Sequence, residues 1–183
     1  PTEMTWLVEP LPRAATDPAH TTRVTLRFAG TADGPQMTLR LHRPAQARGR
    51  TPVFVFAGTG YAPWTPPADP DRPPDFAAAI LARGYSLVTC DLGQVDPDRR
   101  DGYAQGIRAY YARRLARPAS DQDWGTLSSW AWSLSRALDY LETDTTIDPD
   151  RIAVVGFSRY GKVAMWAGSQ DPRFALVCSG LSG

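Results

Sequence analysis

Two kinds of strand signal follow each other along the chain, and the switch between them limits the fold more than any other feature. Thr22–Phe28 (TRVTLRF) and Gln36–His42 (QMTLRLH) alternate polar and apolar residues, the pattern of strands with one covered face. Between them AGTADGP carries Asp33-Gly34, a turn signal, so the pair reads as an antiparallel hairpin. From residue 50 onward the pattern changes. Pro52–Ala57 (PVFVFA), Ser86–Cys90 (SLVTC), Ile152–Val155 (IAVV) and Phe174–Cys178 (FALVC) are unbroken apolar runs of strand length. Such runs suit strands covered on both faces, as in a parallel sheet. Helical patterns lie between them. Asp75–Arg83 stops at Gly84, and Leu127, Trp130, Ala131, Leu134, Leu138 and Leu141 recur at helical spacing. Asp148-Pro149-Asp150 separates that helix from the next strand, and Arg159–Gly168 opens another helix directly after it. Strands alternating with helices predict an α/β doubly wound, mostly parallel sheet with an antiparallel hairpin at its start. The first 20 residues are proline-rich and aperiodic, which predicts an extended lead-in lying over the surface. Residues 61–74 predict a stiff exposed loop after a strand, where binding loops sit in open α/β sheets.

The 183 residues, 43% of them hydrophobic, supply one core and too little chain for two large domains. One domain is therefore expected over residues 1–183, with a lead-in and hairpin in 1–49 and the core in 50–183. The 20 Lys+Arg nearly balance the 19 Asp+Glu, leaving a net charge of +1. That gives no electrostatic footprint for nucleic acid. No apolar run approaches the roughly 18 residues that cross a bilayer, so no membrane contact is expected. The N-terminal residues carry Glu3, Glu9 and Asp17 in place of a basic and then apolar leader, which fits a cytosolic chain or one whose leader has been removed.

The sharpest local feature is Val155-Gly156-Phe157-Ser158-Arg159-Tyr160-Gly161-Lys162. A serine on a strand-to-helix turn stands clear of the sheet, with helix N–H groups nearby to meet a developing oxyanion. Two readings stay open on these residues: a nucleophile on an elbow, and a serine that caps a helix after a buried strand. The second glycine stands one place later than in a plain G-x-S-x-G elbow. Arg159 and Lys162 put cations in a first helical turn, where the helix dipole disfavours them. No His/Cys/carboxylate cluster has metal-ligand spacing, and Asp96, Asp98 and Asp101 lack EF-hand spacing, so these read as loop and cap carboxylates. No metal and no cofactor are expected. Gly58-Thr59-Gly60 is not continued as a phosphate loop. Of the six tryptophans, Trp130 and Trp132 read as core and Trp64 as a surface residue. Cys90 and Cys178 each end a predicted strand, and two free thiols are expected.

The run Gly156-Phe157-Ser158-Arg159-Tyr160-Gly161-Lys162 resembles the G-C-S-R-x-G-K signature of the glucuronoyl esterases, carbohydrate esterase family 15. Arg83-Gly84-Tyr85, Asp96-Pro97-Asp98, Asp101-Gly102-Tyr103, Trp124-Gly125-Thr126 through Leu141, and Ala167-Gly168 with Asp171–Ala175 resemble further family segments. The likeness spans about residues 50–183. It implies an α/β-hydrolase fold and an esterase that cleaves glucuronoyl esters of xylan through an acyl-enzyme. It implies Ser158 as nucleophile, Arg159 in oxyanion stabilisation, Lys162 on the sugar hydroxyls, and a second oxyanion donor in the loop at Gly58 and Thr59. A carbohydrate ester substrate, a monomer and a secreted or periplasmic setting are implied with it. The competing readings are another α/β-hydrolase such as an acetyl or aryl esterase, and a non-catalytic hydrolase-like domain.

The chain departs from the family at the base and the acid. In hydrolase order the acid and the histidine follow the serine, whereas His20 and His42, the only two histidines, both precede Ser158. Both are expected to be surface residues. Leu181 stands where the fungal members carry a glutamate, and Asp171, the one acid after Ser158, reads as a turn or cap residue. The resemblance implies further chain beyond Gly183, and residues 1–183 alone are expected to be inactive.

Overall fold

The computed structural model describes residues 4–58, 69, 71–116, 120 and 122–182. Seven strands form one sheet: β1 Thr5–Pro10, β2 Ala19–Arg27, β3 Gln36–Pro44, β4 Thr51–Ala57, β5 Ser86–Cys90, β6 Ile147–Phe157 and β7 Leu176–Gly180. The spatial order is β1-β2-β3-β5-β4-β6-β7. The first three strands run antiparallel to one another, and β3 pairs antiparallel with β5. β5, β4, β6 and β7 are mutually parallel. The doubly wound sheet with an antiparallel start is therefore present.

Alternation in β4 shows why both faces are covered. Val53, Val55 and Ala57 join the larger apolar core with α3 (Thr126–Leu141) and α4 (Arg159–Gln170). Phe54 and Phe56 point the other way, onto Ala77 and Leu81 of α1 (Ala77–Leu81). The α1 stop expected at Gly84 is a Schellman turn: Tyr85 N–H donates to Ile80 O and Gly84 N–H to Leu81 O, with Gly84 at φ +81°. Among the described residues no helix is long and apolar enough to cross a membrane. Cys90 and Cys178 are free, and two strands lie between them.

Four readings of the sequence need correction. The lead-in contains β1, which pairs along its whole length with β2, so the start is a three-stranded antiparallel unit. α2 (Gly106–Arg114) forms where the sequence shows no helical apolar stripe. β6 begins at Ile147 and takes in Asp148-Pro149-Asp150, because Thr51 pairs with Ile147 across an irregularity in the ladder. The fourth concerns a histidine. His20 is exposed, but His42 is fully buried. β3 lies inside the sheet, and Leu87 stands opposite His42. The chain at Asp71 is also drawn over this region, where its carboxylate accepts from Arg23 and, at 2.9 Å, from Arg40 Nε.

The His42 imidazole sits 3.0 Å from Thr21 Oγ1 through Nδ1. Burial, helped by the Arg40 charge, lowers its pKa to about 4. An unfolded histidine takes a proton near pH 6.5, so below that pH the unfolded chain binds the proton more readily. Stability from this group is complete above pH 6.5 and is lost as the pH falls toward 4. A shift of this size corresponds to about 3 kcal/mol. Urea unfolding should therefore show a steeper loss of stability between pH 7 and 4 in the parent than in His42→Gln, and equal slopes would contradict the assignment.

Candidate active site at the carboxyl edge of the sheet

Four parallel strands end at one edge, and the residues that follow them meet there. Gly58 follows β4, Asp91 follows β5, Ser158 follows β6 and Leu181 follows β7. Ala57 pairs with Gly156, so Gly58 lies beside the β6 turn. Thr59, Trp64 and most of the loop at 61–74 lie outside the described residues.

Ser158 adopts φ 53°, ψ −125°, a left-handed backbone that side chains rarely take. Two close approaches enforce it. A Cβ on Gly156 would stand 2.1 Å from Tyr160 O, and a Cβ on Gly161 would stand 2.1 Å from Ser182 Oγ and 2.8 Å from Ser179 Oγ. The strand, the helix and the end of β7 thus close on one another only through these two glycines. Gly161 is needed one place later than in a plain elbow because the helical residue facing β7 is 161. Residue 160 turns inward, where the Tyr160 ring lies 5.3 Å from that of buried Trp130. Ser158 N–H donates to Gly180 O at 2.8 Å, which ties the turn to β7.

The helix-cap reading of Ser158 fails on geometry. Ser158 occupies the cap position, but its side chain makes no cap hydrogen bond. The hydroxyl is exposed at the N-terminus of α4, where helix N–H groups and the dipole favour negative charge. Arg159 and Lys162 are exposed in the same first turn. Arg159 Nη1 donates to Asp98 Oδ2 at 2.6 Å, and Lys162 forms no ion pair with the described residues. Asp98 belongs to the loop after β5, between two short 3-10 turns at Leu92–Gln94 and Gly102–Ala104. That loop is anchored: Leu92 N–H donates to Gly58 O at 3.0 Å. The Asp96 carboxylate is fully buried against Arg108 Nε at 2.6 Å, and Trp130 Nε1 donates to Asp96 O at 2.9 Å. Burial pushes the Asp96 carboxyl above the ordinary carboxylate range despite that pair. It also pushes the Cys90 thiol up to about 12, which makes it a poor nucleophile.

Neither histidine lies near Ser158, and neither does Asp171, the one acid after it in the chain. Leu87 pairs with His42 on one side and with Phe54 on the other, and Phe54 pairs with Ala153. That register puts His42 three strands and five residues from Ser158, about 20 Å at ordinary strand dimensions. Asp171 closes α4 at its far end, about 18 Å along the helix axis. Hydrogen bonds from Arg173, helped by Ser135, hold its carboxyl down at about 2. It is the cap residue that the sequence implied. Leu181 is 89% exposed beside the turn, with φ 53°. No group of three or more His, Cys, Asp or Glu that could hold a metal occurs among the described residues.

The sequence model described as "Glucuronyl esterase, fungi" matches residues 77–183. The chain belongs to this glucuronyl esterase family. Carbohydrate esterase MZ0003, from an unknown prokaryotic organism, is 33% identical over 88% of this chain and 44% of its own length. A 4-O-methyl-glucuronoyl methylesterase of Podospora anserina is 46% identical over 35% of this chain and 14% of its own. The solved glucuronoyl esterase from Solibacter usitatus superposes with a TM-score of 0.85 at 33% identity, over 100% of this chain and 53% of that one. The chain thus has the family's α/β-hydrolase architecture and spans about half the length of the prokaryotic esterase and of the Solibacter structure.

Replacing Gly156 by alanine should cost more than about 3 kcal/mol, because the new Cβ meets the Tyr160 backbone, and Gly161→Ala should cost less, because the Ser179 and Ser182 hydroxyls that it meets can rotate. Thermal unfolding checks this, and a loss under about 1 kcal/mol in Gly156→Ala would contradict the close approach.

Proposed function

We propose that this protein contributes the nucleophile and oxyanion half of a serine carboxylic-ester hydrolase acting on glucuronoyl esters of xylan. The observation that carries the reading is Ser158 itself: an uncapped, exposed hydroxyl on a strained turn at a helix N-terminus, in a chain of the glucuronyl esterase family. Ser158 Oγ attacks the ester carbonyl carbon, the alcohol departs, and water releases the uronic acid from the acyl-enzyme. Charge collects on the carbonyl oxygen during attack. In this reading the N–H groups of the α4 N-terminus, the Arg159 guanidinium and the backbone at Gly58 meet it, and they act more strongly on the transition state than on the neutral ester. Lys162, one turn along α4, takes the sugar hydroxyls. The proton acceptor for Ser158 Oγ is neither His20 nor His42, because the register holds His42 at the opposite end of β5 and His20, on β2, lies farther out. A monomer is the simplest working unit, and light scattering reports it.

In the longest natural form of the chain, Ser158→Ala should abolish release of acid from a benzyl glucuronate ester, and retained turnover would sink the assignment. Glucuronoyl esters should be cleaved faster than acetyl esters under matched conditions; the reverse order would favour an acetyl esterase. Residues 1–183 alone should show no Ser158-dependent turnover, and measurable multiple turnover would overturn the view that the base lies outside them.

A further inference from the structure

We propose that Asp98 is a positioning residue for the reaction: its carboxylate fixes the direction in which Arg159 presents its guanidinium to the ester oxygen. This rests on the ester-hydrolase reading above. Arg159 is the first residue of α4, a site that the helix dipole makes unfavourable for a cation. Its side chain is 59% exposed, so on its own the long stem samples many rotamers. Asp98 reaches it from the loop after β5, across the end of β4, and accepts from Nη1 at 2.6 Å. Among the described residues this is the one ion pair that Arg159 makes, and it leaves Nε and Nη2 as donors.

An exposed ion pair ordinarily contributes little to stability. Here both ends are held by the same buried ring. Trp130 Nε1 binds the carbonyl of Asp96, two residues before Asp98, and the Trp130 ring packs 5.3 Å from Tyr160, the residue after Arg159. Asp96 is itself locked by Arg108, whose Nη2 donates to Thr126 Oγ1 at 2.8 Å. The separation of the two backbones is therefore set by the core, and the ion pair converts it into a fixed guanidinium orientation. Asp98 also cancels part of the Arg159 charge, so its contribution is direction, which counts most when charge appears at one defined atom.

The test is a double-mutant cycle in the longest natural form of the chain, with Asp98→Ala, Arg159→Ala and the pair. Two rates are read: hydrolysis of a benzyl glucuronate ester, and labelling of Ser158 by a neutral alkyl fluorophosphonate, which needs no sugar. Asp98→Ala should lower kcat and the labelling rate about tenfold, with KM within about twofold, as a misdirected transition-state group does. The double variant should be no slower than Arg159→Ala, and the melting temperature should be unchanged. Losses that multiply in the double variant, or an unchanged rate in Asp98→Ala, would overturn the proposal. A parent that is labelled at Ser158 but leaves the glucuronate ester intact removes the substrate reading alone. The labelling cycle then still decides on Asp98: coupling supports it and additivity overturns it.

Discussion

The closure of β6, α4 and β7 around Ser158 is the constraint on which the rest depends. The backbones of β6 and α4 meet at Gly156, and the hydroxyls of Ser179 and Ser182 close on Gly161 from the end of β7, while Ser158 is left in a backbone conformation that side chains rarely adopt. Such strain persists only where the surroundings over-determine it. Here Val163, Ala164 and Ala167 bury one face of α4 against the sheet, while Val154 holds β6 within the same core. The hydrogen bond from Ser158 N–H to Gly180 O closes the remaining side. An exposed hydroxyl is the product of a rigid interior.

Trp130 extends that rigidity sideways. It is the largest fully buried side chain among the described residues, and it touches both the first turn of α4 and the loop after β5. Two cations at the start of a helix would be an electrostatic misfit on a free helix. The carboxylate of Asp98 answers one of them, and Lys162 remains open toward solvent. The edge where these groups gather is also where negative charge would develop in ester cleavage, so the arrangement is consistent across packing, electrostatics and chemistry.

Legibility in the sequence followed the range of the forces involved. β5 is read to the residue, and α3 to within one, because a buried apolar run and a helical stripe are local patterns. β1 escaped because TWLVEP lies on the exposed outer edge of the sheet, where only its pairing with β2 declares it. α2 escaped because GIRAYYARR lacks an apolar stripe. His42 was misplaced for a related reason: its burial comes from β5 and from the chain near Asp71, which no neighbour of His42 in sequence announces. The elbow was visible through its glycines, though not which side of the helix each would face.

By itself the sequence determined the order of β2 to β7 and of the helices other than α2, the doubly wound class, the serine on its turn with two cations after it, and the placement of both histidines before it. These depend on patterns a few residues long and on simple order along the chain. The tertiary structure alone decided that the serine hydroxyl is left uncapped, that Tyr160 faces Trp130 and Gly161 faces β7, that His42 is buried far from the edge, and that Arg159 meets Asp98. That last pair is separated by 61 positions. The contact exists because the parallel register brings the ends of β5 and β6 to one edge, and register is a property of the packed sheet that no short segment carries.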